Sequence, residues 1–223
     1  MRTRRRQIED VASTLFSHRG YAATSMRDIA KALDLQGGSL YAHIPSKESV
    51  LAAIVEEAAE RFHAAVRPIA EGRGTASERL RAMVGAHVRV VTGDRGRAKV
   101  FLFEWTFLGP ERREAVASSR AAYQAYFGRV IAEGAAAGEL EAADPKLAAV
   151  FILSAMNGMA HWYRPDGRLG PDALAEQYAD LFLGGLQARA KRLAHDQDHG
   201  IPEGDQGGRH GHARASLEHE GAR

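Results

Sequence analysis

The residues most suited to chemistry lie between Gln36 and Lys47. Gln36 carries an amide that can pair with the edge of a base, and the Ser39 hydroxyl suits a base or a phosphate oxygen. Gly37 and Gly38 are poor helix formers, together costing about 2 kcal/mol against alanine, and a surface that needs close backbone approach has a use for them. Tyr41 and His43 follow, each able to donate to a phosphate oxygen, although Tyr41 could equally be a core aromatic beside Leu40 and Ile44. Lys47 stands in the first turn of a helix, where a cation opposes the helix dipole by about 0.3–1 kcal/mol. A phosphate docked there reverses that sign and uses the free N–H groups as well as the ammonium. The chemistry is recognition of a polyanion.

The elements that must hold these residues are helical. Ile8, Val11, Ala12, Leu15 and Phe16 form one apolar stripe, closed by Gly20. Met26, Ile29, Ala30 and Leu33 form a second, opened by Ser25 with Asp28 three residues on, a capping box. A third short helix must fit into 36–43, because Pro45 stops it. Short helices joined by Leu33-Asp34-Leu35 outline a helix-turn-helix, whose second helix enters the major groove. Ser46 caps a fourth helix that runs to about Val66, before Pro68. A Gly-rich linker at 71–75 leads to helices expected at 76–92, 95–107, 110–137, 145–163 and 171–192. Pro110, Pro145 and Pro171 each sit where a first helical residue belongs.

Composition bounds the rest. The 223 residues include no cysteine, which removes disulfides, thiolate metal sites and thiol catalysis. No apolar run approaches the about 18 residues of a membrane span, and Glu9 and Asp10 interrupt what would be a secretory signal, so a soluble cytoplasmic protein without a membrane partner is expected. Residues 1–49 hold eight basic against five acidic side chains, with Arg2, Arg4, Arg5 and Arg6 forming an arm suited to nucleic acid. Nucleophile elbow, phosphate loop and His-Glu-x-x-His are missing, so no enzyme, no catalytic residue and no cofactor are expected. From His195 onward Gly, His, Asp and Glu dominate, a composition that predicts disorder; its histidines support no metal site.

The stretch from Phe16 to Leu51, with Thr-Ser-Met-Arg-Asp-Ile-Ala and Gly-Ser-Leu-Tyr-Ala-His-Ile-Pro-Ser-Lys-Glu, resembles the DNA-binding domain of TetR-family transcriptional regulators. Asp34 stands where the family places a turn glycine, and Ile44 where it places phenylalanine. Asp tolerates the left-handed conformation, so the turn survives. The resemblance implies contacts with double-stranded DNA at Ser25, Arg27, Gln36, Gly37, Ser39, Tyr41, His43 and Lys47. It also implies a homodimer built on the last two long helices, facing a palindromic operator. The expected organisation is a helix-turn-helix domain over 1–47, a helical effector and dimerisation domain over 48–193, and a tail over 194–223.

The larger part reads as a regulatory domain. Leu147–Ala160 is apolar nearly all round and is expected to be buried on every side, with Ala148, Ala149, Ala155 and Gly158 permitting close approach of a second subunit. The last helix carries Leu174, Tyr178, Leu181, Phe182 and Leu186 on one stripe. The segment Asn157–Leu186, above all 161–169, is similar to the branch of the family that senses acyl-CoA thioesters. Such an effector needs an apolar tunnel and basic groups for its phosphates. Phe101, Trp105, Tyr123, Phe127, Asn157 and Trp162 are the candidates for the tunnel, and Arg95, Arg97 and Lys99 for its mouth. A sensor of multidrug type, responding to aromatic cations, is the alternative.

Overall fold

The computed structural model describes residues 3–186. Among them the fold is all-α: a three-helix helix-turn-helix unit followed by a larger helical part. The order is α1 (Arg4–Arg19), α2 (Met26–Ala32), α3 (Gly37–Tyr41), α4 (Lys47–Ala70), α5 (Ala76–Gly93), α6 (Arg95–Lys99), a π-helical turn (Val100–Glu104), a 3-10 turn (Trp105–Phe107), α7 (Pro110–Ala136), α8 (Pro145–Trp162) and α9 (Pro171–Leu186). The expected tail over 194–223, and the end of the last helix beyond Leu186, lie outside the described residues.

Local signals set most boundaries. Gly20 closes α1 at φ 86°, its N–H bonded to the Phe16 carbonyl. Ser25 and Asp28 complete the capping box of α2. Asp34 takes φ 54°, the left-handed turn that its short polar side chain permits. Ser46 caps α4 with Ser49 as the reciprocal partner, and Thr75 caps α5 with Glu78. Pro110, Pro145 and Pro171 open their helices.

Three expectations change. α4 does not stop before Pro68 but continues to Ala70. A proline this near the end removes only one internal bond, to the exposed Ala64 carbonyl, while Ala70 is buried and Ile69 packs on the core. The helix expected over 95–107 is three short pieces, five α-helical residues, a π turn and a 3-10 turn. α8 is not buried all round in the single chain: Ile152, Leu153, Met156 and Met159 face inward, whereas Leu147, Val150 and Phe151 are exposed. Ala149 instead lies against α7 within the chain, where a Cβ on Gly128 would stand 4.0 Å from its own.

One apolar core runs from Ile8 through Leu183. α4 packs on α1 as well as on α5 and α7, so the same helix serves the N-terminal unit and the larger part.

Candidate nucleic-acid interface and interior cavity

α3 is held by its apolar side alone. Leu40 and Ile44 are buried, which leaves Gln36, Ser39, Tyr41 and His43 exposed. Tyr41 is 56% exposed and therefore no core aromatic. Gln36 occupies the N-cap of α3 without bonding its side chain there. A Cβ on Gly38 would meet nothing, so the glycine leaves the backbone of this helix open to close approach. Beside α3, a shallow concavity is lined by the connector 22–25, Met26, Arg27, Tyr41 and Lys47, which brings Ser25, Arg27, Tyr41 and Lys47 together. Arg27 is exposed.

Two of these residues have prior commitments. The Ser25 hydroxyl donates to Asp28 at 2.6 Å and accepts from the Asp28 N–H, so its proton serves the cap. Lys47 donates to the carbonyls of Tyr21 at 2.9 Å and Thr24 at 2.7 Å, and its ammonium sits 4.1 Å from the Tyr21 ring centre. The ammonium thus clamps the α1–α2 connector to α4, with one proton remaining for a phosphate. The lysine expected at the DNA also builds the surface around it, a structural role its sequence position did not announce. The Tyr21 N–H donates to Glu104 at 2.9 Å, and the Tyr21 ring packs edge-on to Phe16. Sequence reasoning passed over Tyr21 and Glu104, whose pairing spans too much chain for a local signal.

A cavity of about 380 Å³ lies between α4, α5, the π turn, α7 and α8. Phe101, Trp105, Tyr123 and Asn157 line it as expected. Phe127 does not: it is fully buried behind Tyr123, with ring centres 5.8 Å apart. Trp162 does not either, standing 52% exposed at the end of α8. Helical spacing located the faces, but it could not tell a wall from the layer behind it.

The expected basic mouth is also corrected. Arg97 is 3% exposed and pairs with Glu57 at 2.7 Å, with Asp94 at 3.2 Å and with Asp10. Arg95 donates to the Tyr163 carbonyl and Lys99 to the Ser17 carbonyl. These cations tie α6 to α1, α4 and the end of α8. Burial pushes Glu57 upward, yet the hydrogen bond from Arg6 and the charges of Arg97 and Arg61 hold it below the ordinary carboxylate value.

The cation that does line the cavity is Arg120, on α7. Its guanidinium lies 5.3 Å from the Phe101 ring centre and 5.5 Å from that of Trp105, and burial lowers its pKa. No acidic residue pairs with it among the described residues. The signal was present in sequence: Ala117, Arg120, Ala121 and Gln124 share one helical face of small and polar residues, and all four line the cavity. His87, fully buried on α5, also lines it, bonded through Nδ1 to the Tyr123 hydroxyl at 3.0 Å.

Two sequence profiles match the chain: "Bacterial regulatory proteins, tetR family" over residues 8–54, and "Tetracyclin repressor-like, C-terminal domain" over residues 73–186. The chain is 29% identical over 185 residues to the HTH-type transcriptional repressor KstR2 of Rhodococcus jostii (strain RHA1), covering 82% of this chain and 91% of that protein. It is 24% identical over 182 residues to the fatty acid metabolism regulator protein of Bacillus subtilis (strain 168), covering 81% of this chain and 94% of that one. Among solved structures, AibR in complex with isovaleryl coenzyme A and operator DNA gives a TM-score of 0.73 at 30% identity, over 83% of this chain and 98% of that one.

Proposed function

The chain belongs to the TetR family of bacterial regulatory proteins, and from that premise we propose that it is a transcriptional repressor released from its operator by an acyl-CoA thioester. Two copies present their α3 helices to a palindromic operator. Gln36, Gly37, Ser39, Tyr41 and His43 meet the groove, and Arg27 with the last proton of Lys47 meets the backbone. The regulatory names and ligand of the relatives support this reading, since AibR was solved with both an acyl-CoA and DNA.

The observation that carries the effector is Arg120, without an acidic partner among the described residues, on a wall rich in aromatic and aliphatic side chains. A largely apolar cavity with one partly desolvated cation favours an amphipathic anion, which an acyl-CoA is, and disfavours an aromatic cation. The dimer follows from Leu147, Phe151 and Leu181, exposed at 64%, 67% and 73% on α8 and α9. Covering a side chain of this size contributes about 1.5–3 kcal/mol.

Release requires that the effector favour a different placement of the two reading helices. A coupling of about 1–3 kcal/mol lowers operator affinity about 5–150-fold. The route is short: Phe101 and Trp105 wall the cavity, and Glu104 between them holds Tyr21 of the connector.

The test is a titration of operator binding with acetyl-CoA, hexanoyl-CoA, long-chain acyl-CoAs, phenylacetyl-CoA, free CoA and the free acids. Thioesters are expected to release DNA, and Arg120→Gln to blunt that release. If a cationic dye releases DNA and no thioester does, the effector class is wrong and the multidrug reading replaces it.

A further inference from the structure

Part of the cavity wall is both buried and polar. His87 is 1% exposed and is backed by the Tyr123 hydroxyl, 3.0 Å from Nδ1. Among the described residues its Nε2 has no hydrogen-bond partner, and neither does the buried Oδ1 of Asn157 on α8. Burial keeps the ring neutral, with its pKa lowered to about 3, against a small upward pull from the Asn157 side chain. With the Tyr123 hydroxyl assigned as donor to Nδ1, the ring hydrogen stands on Nε2. Two buried polar groups of the cavity wall, the His87 Nε2–H and Asn157 Oδ1, are then left unsatisfied among the described residues. A core built only for packing leaves buried polar groups paired. Phe62 packs on the His87 ring with centres 5.0 Å apart, and the other buried side chains of the lining include Phe101, Leu102 and Leu153, none of which can complete these bonds. Arg120, Gln124 and Ser154 on the same lining are partly or fully exposed.

We infer that His87 and Asn157 in the cavity wall recognise an oxygen substituent on the acyl body of the effector, so that the preferred ligand is a keto- or hydroxy-substituted acyl group and not a plain hydrocarbon chain. The inference rests on the proposed function in taking this cavity as the effector site. The charged part of the ligand is assigned to Arg120 on the same lining, which leaves His87 and Asn157 for the acyl body. A ligand oxygen accepts from the His87 Nε2–H or from the Asn157 amide, and a hydroxyl can also donate to Asn157 Oδ1. A plain chain leaves these groups desolvated and unpaired, which is how a polar site rejects an analogue that lacks the matching atom.

The experiment is isothermal titration of the purified full-length protein with matched pairs: hexanoyl-CoA against 5-oxohexanoyl-CoA and 5-hydroxyhexanoyl-CoA, and cyclohexanecarbonyl-CoA against its 4-oxo analogue. The corresponding free acids are run in parallel. At least tenfold tighter binding of an oxygenated member in either series is expected. Asn157→Leu, whose fold is checked by circular dichroism, is expected to abolish that preference while retaining affinity for the plain member. Equal or tighter binding of the plain members in every pair overturns the inference while leaving the acyl-CoA reading intact. Binding by the acids alone overturns the acyl-CoA reading, and the oxygen preference is then read from the acid pairs. An oxygen preference that survives both Asn157→Leu and His87→Phe also overturns it.

Discussion

Replacing Lys47 with methionine separates two roles that one lysine near DNA can play. Methionine keeps most of the volume and removes the ammonium. The structure gives that ammonium two carbonyl acceptors, Tyr21 and Thr24, and the face of the Tyr21 ring. Hydrogen bonds to a charged group contribute about 1.5–3 kcal/mol each, and Lys47 is half-buried, so the lower end applies. Freeing the side chain returns up to about 2 kcal/mol of entropy. The net destabilisation is about 1–2 kcal/mol, equivalent to a fall in Tm of about 2–8 °C for a chain of this size. Operator affinity should fall as well, because the connector carrying Ser25 and leading to Arg27 loses its tether. Thermal unfolding and fluorescence anisotropy at several salt concentrations read both effects. A clamp that keeps one proton for a phosphate predicts a lower Tm together with weaker binding and a salt slope reduced by about one. A phosphate ligand that clamps nothing predicts that slope with an unchanged Tm. The second result would refute the clamp.

Glu57→Gln removes the anion shared by Arg6, Arg61 and Arg97 and should cost about 2–3 kcal/mol, below the usual figure for a broken buried pair because Glu57 is partly exposed. The Glu57 pKa is depressed in the fold, so its stabilisation is complete above the ordinary value of 4.5 and is lost as pH falls through the lower folded value. Urea midpoints from pH 7 to pH 3 should therefore fall less steeply in the variant, and parallel curves would exclude Glu57 as a source of the acid sensitivity. Phe151→Asp combined with Leu181→Asp should yield a helical monomer in sedimentation; a dimer that persists places the interface elsewhere. Gly134→Ala puts a Cβ 2.7 Å from Ala76 Cβ and Leu140 Cδ1, so a loss of about 1–3 kcal/mol is expected on urea unfolding, and wild-type stability would show that the α5–α7 contact yields easily.

The N-terminal unit was legible because its determinants are local. Ser25 with Asp28, Gly20, Asp34 and Pro45 each act within a few residues, and the reading surface is what remains once Leu40 and Ile44 turn inward. The cavity was half legible. Phe101, Trp105, Tyr123 and Asn157 declared themselves by type and spacing, whereas Phe127 and Trp162 share that spacing and sit behind the wall or outside it. The basic trio misled for a different reason. Charge in a sequence carries no record of its partners, and those of Arg97 come from positions 10, 57 and 94. Nor does any local propensity announce the π turn at Val100–Glu104, where Phe101 and Leu102 are fixed by packing.

The segment from Asp94 to Trp105 has two faces, and this matters to anyone redesigning the effector response. Arg97 and Lys99 grip α1 and Glu104 grips the connector, while Phe101, Leu102 and Trp105 wall the cavity between those grips. Substitutions on this wall change ligand fit and operator geometry together, so their effects will not add. The opposite wall, at Ala117, Ala121, Gln124 and Ser154, has no such tie to α1 or the connector among the described residues. A library meant to recode specificity while sparing DNA affinity belongs on α7 and α8, and one meant to tune the strength of the response belongs on the π turn.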